Sequence, residues 1–380
     1  VNLLQLATMQ TFVTPRGNPD PSPVTKGGQR RDEPSCPRHL RDRLRPGRWR
    51  RLAGIWAVAL ACLPNLAPAE TACPSPQITL EPVGQGVWRV PGAEGDSRAA
   101  NRGAISNLLA VRDGNRLWLL GSGPSQRWGQ ALDCRLRQVA GLSVTDVVAP
   151  WARPELVLGQ GGMPLARRWA HREVAQAMQE RCPHCIERLR QRLGEAAADL
   201  GDAAIPLPQR PGDQLLEGET GQIGPWQWRR LHRSEGTAVT LWRLDRARIL
   251  TGHGLLWSDG APDLRDSSLT PFRQALEELA AWAAQRPAAQ AAGWRWLPEQ
   301  GPWQPMHSLQ QHRDYLEGLT RSVSEAIASG AGETDPPRTW PGLTPQFRAG
   351  ERHALNWQRS WRELESLSWS ADATAPGPRP

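Results

Sequence analysis

Lysine is almost missing from this 380-residue chain: Lys26 is the single one, and tyrosine also occurs once, beside three phenylalanines and four methionines. A phosphate-binding loop needs Lys-Ser/Thr after its glycines, and Gly159-Gln160-Gly161-Gly162 is not followed by that pair, which removes this nucleotide-binding class. Gly121-Ser122-Gly123-Pro124-Ser125 ends in serine where a nucleophile elbow has glycine, so a serine hydrolase of that type is not indicated. Long apolar runs are absent as well. The longest, Leu52 to Leu63, is stopped by Pro64 and Asn65 and falls short of the ~20 residues of a membrane span. Charge of one sign is in excess only at the front. The net charge is +8, but residues 1–69 hold 11 Lys+Arg against 4 Asp+Glu, leaving 35 against 34 in the rest. A nearly neutral body does not present the basic surface that nucleic acid requires.

What is there begins with a tripartite leader. Arg38 to Arg51 is basic, Leu52 to Leu63 is apolar, and Ala67-Pro68-Ala69 is a small-x-small cleavage site. These are the parts of a secretory signal peptide, assigned to 45–69 with cleavage after Ala69, which places the mature protein in the periplasm or outside the cell. Residues 1–44 are rich in Pro, Gly and Arg without apolar periodicity and add nothing a signal needs; they read as an extension from a start codon placed too early. Cys73, Cys134, Cys182 and Cys185 follow the leader, an even number in an oxidising compartment. One or two disulfides are expected. Three full pairings are possible, Cys73 with Cys134 and Cys182 with Cys185 being the simplest.

The body reads as sheet, then helix, twice over. Ile78 to Val90 suggests two short strands, and Ala104 to Leu120 a hairpin turning at Asp113-Gly114-Asn115. Trp128 to Ala140 has helical spacing and leads to a β-branched run, Val144 to Val148. His171 to Leu193 is a helical pattern interrupted by Pro183. Strand-like segments follow at Trp226 to His232, Ala238 to Leu244 and Arg248 to Leu250, and helices at Pro271 to Gln285, Ser308 to Ser329 and Phe347 to Leu367. The expected divisions are a domain over 74–330, a Gly/Pro-rich linker over 331–345, a helix over 346–368 that packs as an appendage, and a disordered tail over 369–380. The pattern fits an α+β, αββα sandwich.

Within that pattern, Asn107 to Val111 and Arg116 to Gly123 resemble the opening hairpin of the metallo-β-lactamase superfamily, and Val147-Val148-Ala149-Pro150-Trp151-Ala152-Arg153-Pro154-Glu155-Leu156 stands where that family carries His-x-His-x-Asp-His. The resemblance implies an αββα sandwich of the metallo-β-lactamase type. It also implies ligand positions, and most are degenerate here. The hairpin's terminal aspartate is replaced by Ser122, or by Gly121 if the register slips. Trp151 and Arg153 stand for two histidines, Glu155 for the aspartate, Leu156 for a histidine, and Gln300, in Pro298-Glu299-Gln300-Gly301-Pro302, for the last ligand. His171 is retained at a histidine position, and His253 replaces an aspartate. A Tyr-Leu-x-x-Leu segment at Tyr315 and Asn356-x-x-x-x-Trp361-x-Glu363-Leu364-Glu365 are most similar to exported metallohydrolase-like proteins associated with quinoprotein systems.

A hydrolytic zinc needs three imidazole, thiolate or carboxylate ligands and an open position for water. Tryptophan and leucine offer no lone pair, and an arginine that never deprotonates repels a dication. The expectation is therefore a metal-free pseudoenzyme that binds a periplasmic partner or small ligand in the former active-site cleft. The alternative is a zinc hydrolase with a reduced site of Glu155, His171 and His253. Cys182-Pro183-His184-Cys185 matches a redox motif, but helix already precedes it, so a structural disulfide or buried pair is expected rather than a reactive one. The 17 tryptophans after the leader are read as core, not as a quinone or sugar platform, and His307 and His312 as ordinary surface residues.

Overall fold

The computed structural model describes residues 72–84, 86–202, 204–285 and 293–374, with side chains as far as Trp369. The chain divides into two units, Val1–Ala69 and Glu70–Pro380, and every described residue belongs to the second. The expected extension at 1–44 and signal peptide at 45–69 lie outside the described residues.

Two sheets carry the fold. The first has seven strands in chain order: β1 (Glu81–Gly84), β2 (Val87–Val90), β3 (Leu108–Asp113), β4 (Arg116–Leu120), β5 (Asp146–Ala149), β6 (Arg167–His171) and β7 (Gln214–Leu216). Its first four strands are antiparallel and β4 to β7 are parallel. The second sheet runs in the order β13 (Gln304–Pro305), β12 (Arg295–Pro298), β11 (Ile249–Gly252), β10 (Thr237–Leu244), β9 (Trp226–Ser234), β8 (Thr220–Ile223).

Strand periodicity of two sorts side chains between layers. Leu109, Val111, Trp118, Leu120 and Val148 join Trp226, Trp228, Trp242 and Leu244 in a core between the sheets. Their neighbours Leu108, Ala110, Leu117, Leu119, Val147 and Ala149 point to the other face and join the core formed with the helices. Strands β3, β4 and β5 therefore bury both sides, which is why these segments read as apolar runs rather than alternations. Helix α1 (Gln126–Ala140) covers the first sheet with Trp128, Leu132 and Leu136; Ser125 caps its start, and Gly141, at φ 71°, ends it. Next in sequence come the short α2 (Pro154–Val157) and the long α3 (Arg172–Leu193). Helix α4 (Leu269–Ala284) lies on the second sheet against β9 and packs on α5 (Ser308–Ala328). The architecture is an αββα sandwich. Most tryptophans are core, Trp118, Trp226, Trp242, Trp257, Trp296 and Trp357 being among the largest fully buried side chains, whereas Trp369 is exposed. No described helix is long and apolar enough to cross a membrane.

Four sequence expectations need correction. Pro183 does not interrupt its helix, since α3 runs unbroken from Arg172 to Leu193 with Pro183 inside it. Both Cys182 and Cys185 are free thiols, and the disulfide formed among the described residues is Cys73–Cys134. His312 is buried, with Nδ1 3.1 Å from Ser308 O and Nε2 2.9 Å from Trp257 O. The last helix, α7 (Glu351–Thr374), is preceded by the single turn α6 (Pro345–Arg348) and is no appendage; it also runs past the expected start of the tail. Trp357 and Trp361 are buried, Asn356 binds Tyr315 and the main chain of Pro262 and Leu264, and Glu363 accepts from Leu269 and Thr270 N–H at the start of α4. The Glu363 carboxylate meets the orphan donors and the positive end of α4 together.

One close approach fixes α1 to the turn after α2. A Cβ at Gly129 would lie 2.0 Å from Gly159 O, and one at Gly159 would lie 1.9 Å from Ser122 O. Gly129→Ala should therefore destabilise the protein by about 1–3 kcal/mol through overpacking, although alanine is the better helix former. A urea midpoint unchanged from the parent would show that helix and turn can separate freely.

Candidate functional site

The loop leaving β5 builds the site. Pro150 O accepts from Thr240 N–H (2.7 Å) and Thr240 Oγ1 (3.0 Å), and Trp151 pairs with Val239 as an isolated antiparallel bridge. The loop is thereby stitched to β10, and its next residues are held where the two sheets meet. Arg153 precedes α2, Pro154 opens that short helix, and Glu155 sits in its first turn.

A wholly buried carboxylate, Glu299, organises the centre. Its Oε2 accepts from Trp151 Nε1 (3.0 Å) and Gly254 N–H (2.8 Å), and its Oε1 from Arg153 Nη1 (2.9 Å) and Ser106 Oγ (3.1 Å). Arg153 reaches Glu155 Oε2 as well (3.3 Å), while Ser97 Oγ donates to Glu155 Oε1 (2.8 Å). Burial penalises the Arg153 charge, but Glu155 and Glu299 outweigh it and hold the guanidinium above its usual range. A cation of the chain itself thus bridges two carboxylates here.

A second guanidinium lies behind. Arg233 is 1% exposed, and its Cζ stands 4.4 Å from the Trp151 ring centroid and 5.5 Å from that of Phe272. Its Nη2 donates to Asp263 O (2.5 Å), whereas Nε and Nη1 have no partner. Burial depresses its pKa to about 10 against the pull of Asp263. Burial would raise Asp263, but the Arg265 hydrogen bonds and the charges of Arg265, Arg153 and Arg233 hold its carboxyl well below the usual range.

Beside this cluster opens a cleft of two adjoining cavities, about 220 and 440 Å³, which share Trp151, Ala152, Cys185 and Arg188 as wall. Cys185 receives a hydrogen bond from Arg188 Nη2 (3.2 Å). One helical turn back, Cys182 is buried and its thiol is pushed up to about 12 by burial.

The sequence candidates are distributed differently from the expected ligand set. Glu155, Trp151 and Arg153 line the cleft. Leu156 is fully buried in the core. His171 serves as N-cap of α3: Nε2–H donates to Gly218 O (3.0 Å) and Nδ1 accepts from Glu173 N–H (3.3 Å), which uses both ring nitrogens. His253 donates Nε2–H to Asn107 O (2.7 Å) and keeps an unpartnered Nδ1; burial lowers its pKa, so the ring is neutral near pH 7. Gln300 Oε1 accepts from Arg352 Nη2 (2.8 Å) and its Nε2 donates to Gly95 O (3.3 Å). Among the described residues no group of three His, Cys, Asp or Glu could hold a metal ion, so the reduced set of Glu155, His171 and His253 is not assembled. The donors of that set do not fit a hydrolytic zinc: both ring nitrogens of His171 are engaged, and Glu155 is already bound by a guanidinium, which leaves His253 Nδ1 as the unpartnered atom of the three residues.

Sequence reasoning missed Glu299, Arg233 and Asp263. Glu299 stands next to Gln300 in the Pro298–Pro302 segment, and its weight comes from partners 148 and 193 positions away. Buried charge was the signal, and burial is a property of the fold.

No family model and no curated protein matches the chain. Solved structures do. The chain is similar to a metallo-beta-lactamase from Pseudomonas aeruginosa in its mono-zinc form, at 14% identity over 66% of this chain and 98% of that one, with a TM-score of 0.48. It is also similar to a metallo-beta-lactamase from Erythrobacter litoralis with beta-mercaptoethanol in its active site, at 15% identity over 64% and 97%, TM-score 0.47, and to one from Hirschia baltica, at 12% over 63% and 98%, TM-score 0.46.

Proposed function

We propose that this chain is an exported metallo-β-lactamase-like pseudoenzyme: released after Ala69 into the periplasm, metal-free, and binding a small ligand or partner in the cleft beside Trp151. The observation that supports this reading is the Arg153 bridge between Glu299 and Glu155, at 2.9 and 3.3 Å. An arginine so placed supplies positive charge without an exchangeable water, so it satisfies the carboxylates but generates no nucleophile. The setting proposed is that of the quinoprotein-associated proteins the sequence resembles.

Metal content tests it. Protein purified without a polyhistidine tag should carry zinc far below one equivalent by elemental mass spectrometry, and its thermal midpoint should not move when a chelator is added. Bound metal that stabilises the native state would raise that midpoint by mass action. One equivalent of zinc, with a midpoint that drops on chelation, sinks the proposal.

A further inference from the structure

The inner cavity is built around a cation that the protein leaves half satisfied. Arg233 is buried and lines the cavity of about 220 Å³, and two of its three nitrogens meet no acceptor. Buried polar groups are paired in the great majority of cases, and each exception asks for an explanation; an unpaired buried guanidinium is among the costlier ones. The same cavity is lined by Arg188, Arg192, Arg265 and Arg359, and by Arg153, against Glu155, Asp263 and Asp266 as acids. Arg153 and Arg265 are engaged with carboxylates, whereas Arg192 and Arg359 are exposed and form no ion pair with a described residue. The guanidiniums without a carboxylate partner are therefore Arg233 within, Arg188 beside Cys185, and Arg192 and Arg359 at the rim.

We propose that this cleft binds a small, multiply charged oxoanion, with one anionic group seated against the Arg233 side of the cavity and the others met by Arg192 and Arg359. The inference rests on reading the cleft as a ligand site. Guanidinium is suited to carboxylate and phosphate alike, because its planar donors match their oxygens. The inner volume, below the roughly 300–1,000 Å³ of drug-sized sites, fits an anionic group of few atoms, and the adjoining cavity of about 440 Å³ receives what is attached to it.

Calorimetric titration of the full chain with citrate and with inorganic phosphate, at low ionic strength, tests the site. Saturable one-to-one binding of either is expected; citrate alone identifies a carboxylate site, phosphate alone a phosphate site. Affinity should fall about tenfold or more in Arg233→Met, the effect of one lost charge-assisted hydrogen bond. Arg359→Gln, an exposed change that does not threaten folding, should weaken binding severalfold. Bound anion should also slow alkylation of Cys185 by iodoacetamide, because that thiol lines the same wall. No saturable binding of either anion, or equal affinity in the parent and both variants, overturns the inference. Zinc analysis separates the two failures. Metal-free protein that binds neither anion removes the oxoanion site alone, and zinc-loaded protein removes the reading beneath it.

Discussion

Glu299→Ala is expected to be the most damaging single substitution in the cluster beside the cleft, lowering stability by about 3–5 kcal/mol. Removing one partner of a buried ion pair costs that much because the other charge stays behind without compensation. Here the loss falls on four donors at once: Arg153, Trp151, Ser106 and the Gly254 N–H. For a protein whose total stability is of the order of 5–15 kcal/mol, the shift is large enough to read from a urea transition. The double variant Arg153→Met with Glu299→Leu should recover most of the loss, since apolar residues of similar volume often replace a buried pair at little cost. A double variant as unstable as the two single changes added together would show that the two residues are not coupled, and the central position given to Glu299 would be lost.

Cys134→Ser is expected to cost about 4 kcal/mol by the loop-closure argument, in which a cross-link lowers the entropy of the unfolded chain in proportion to the logarithm of the loop. The Cys73–Cys134 bridge closes a loop of sequence separation 61. In the folded protein it ties the segment before β1 to α1, where Arg127 Nε also donates to Ser75 O (3.0 Å). Reductant should therefore lower the thermal midpoint of the parent and leave that of Cys134→Ser unchanged, because Cys182 and Cys185 are already free. A variant that still responds to reductant would place a second disulfide in the folded chain.

The parts of the fold legible in the sequence are those whose signal is local. The β3–β4 hairpin is announced by two apolar runs around Asp113-Gly114-Asn115, and α1 by apolar residues at helical spacing between a serine and a glycine. Strands β6 and β7 were not legible. Arg167-Arg168-Trp169-Ala170-His171 carries charge on a parallel strand, where Arg167 pairs with Asp146 and Arg168 N–H with Asp213, partners that only the fold supplies. Strand β12 ends in Pro298, which argues locally against a strand. The site divides in the same way. Trp151, Arg153 and Glu155 could be located from the β-branched strand and the proline around them, but the role of Arg153 depends on Glu299, 146 positions away. His171 looked like a ligand because composition does not reveal that a helix end has already claimed its ring.

The bridge between Trp151 and Val239 is made by main chain, as are the carbonyl of Pro150 and the amide of Thr240 that meet beside it. Backbone pairing is indifferent to which side chain residue 151 bears. The course of the loop is thus uncoupled from the chemistry it displays, and exchanges at 151, 153 and 155 can change what faces the cleft without a change of path. A cleft of this kind can therefore exchange the side chains that line it while its wall keeps its course.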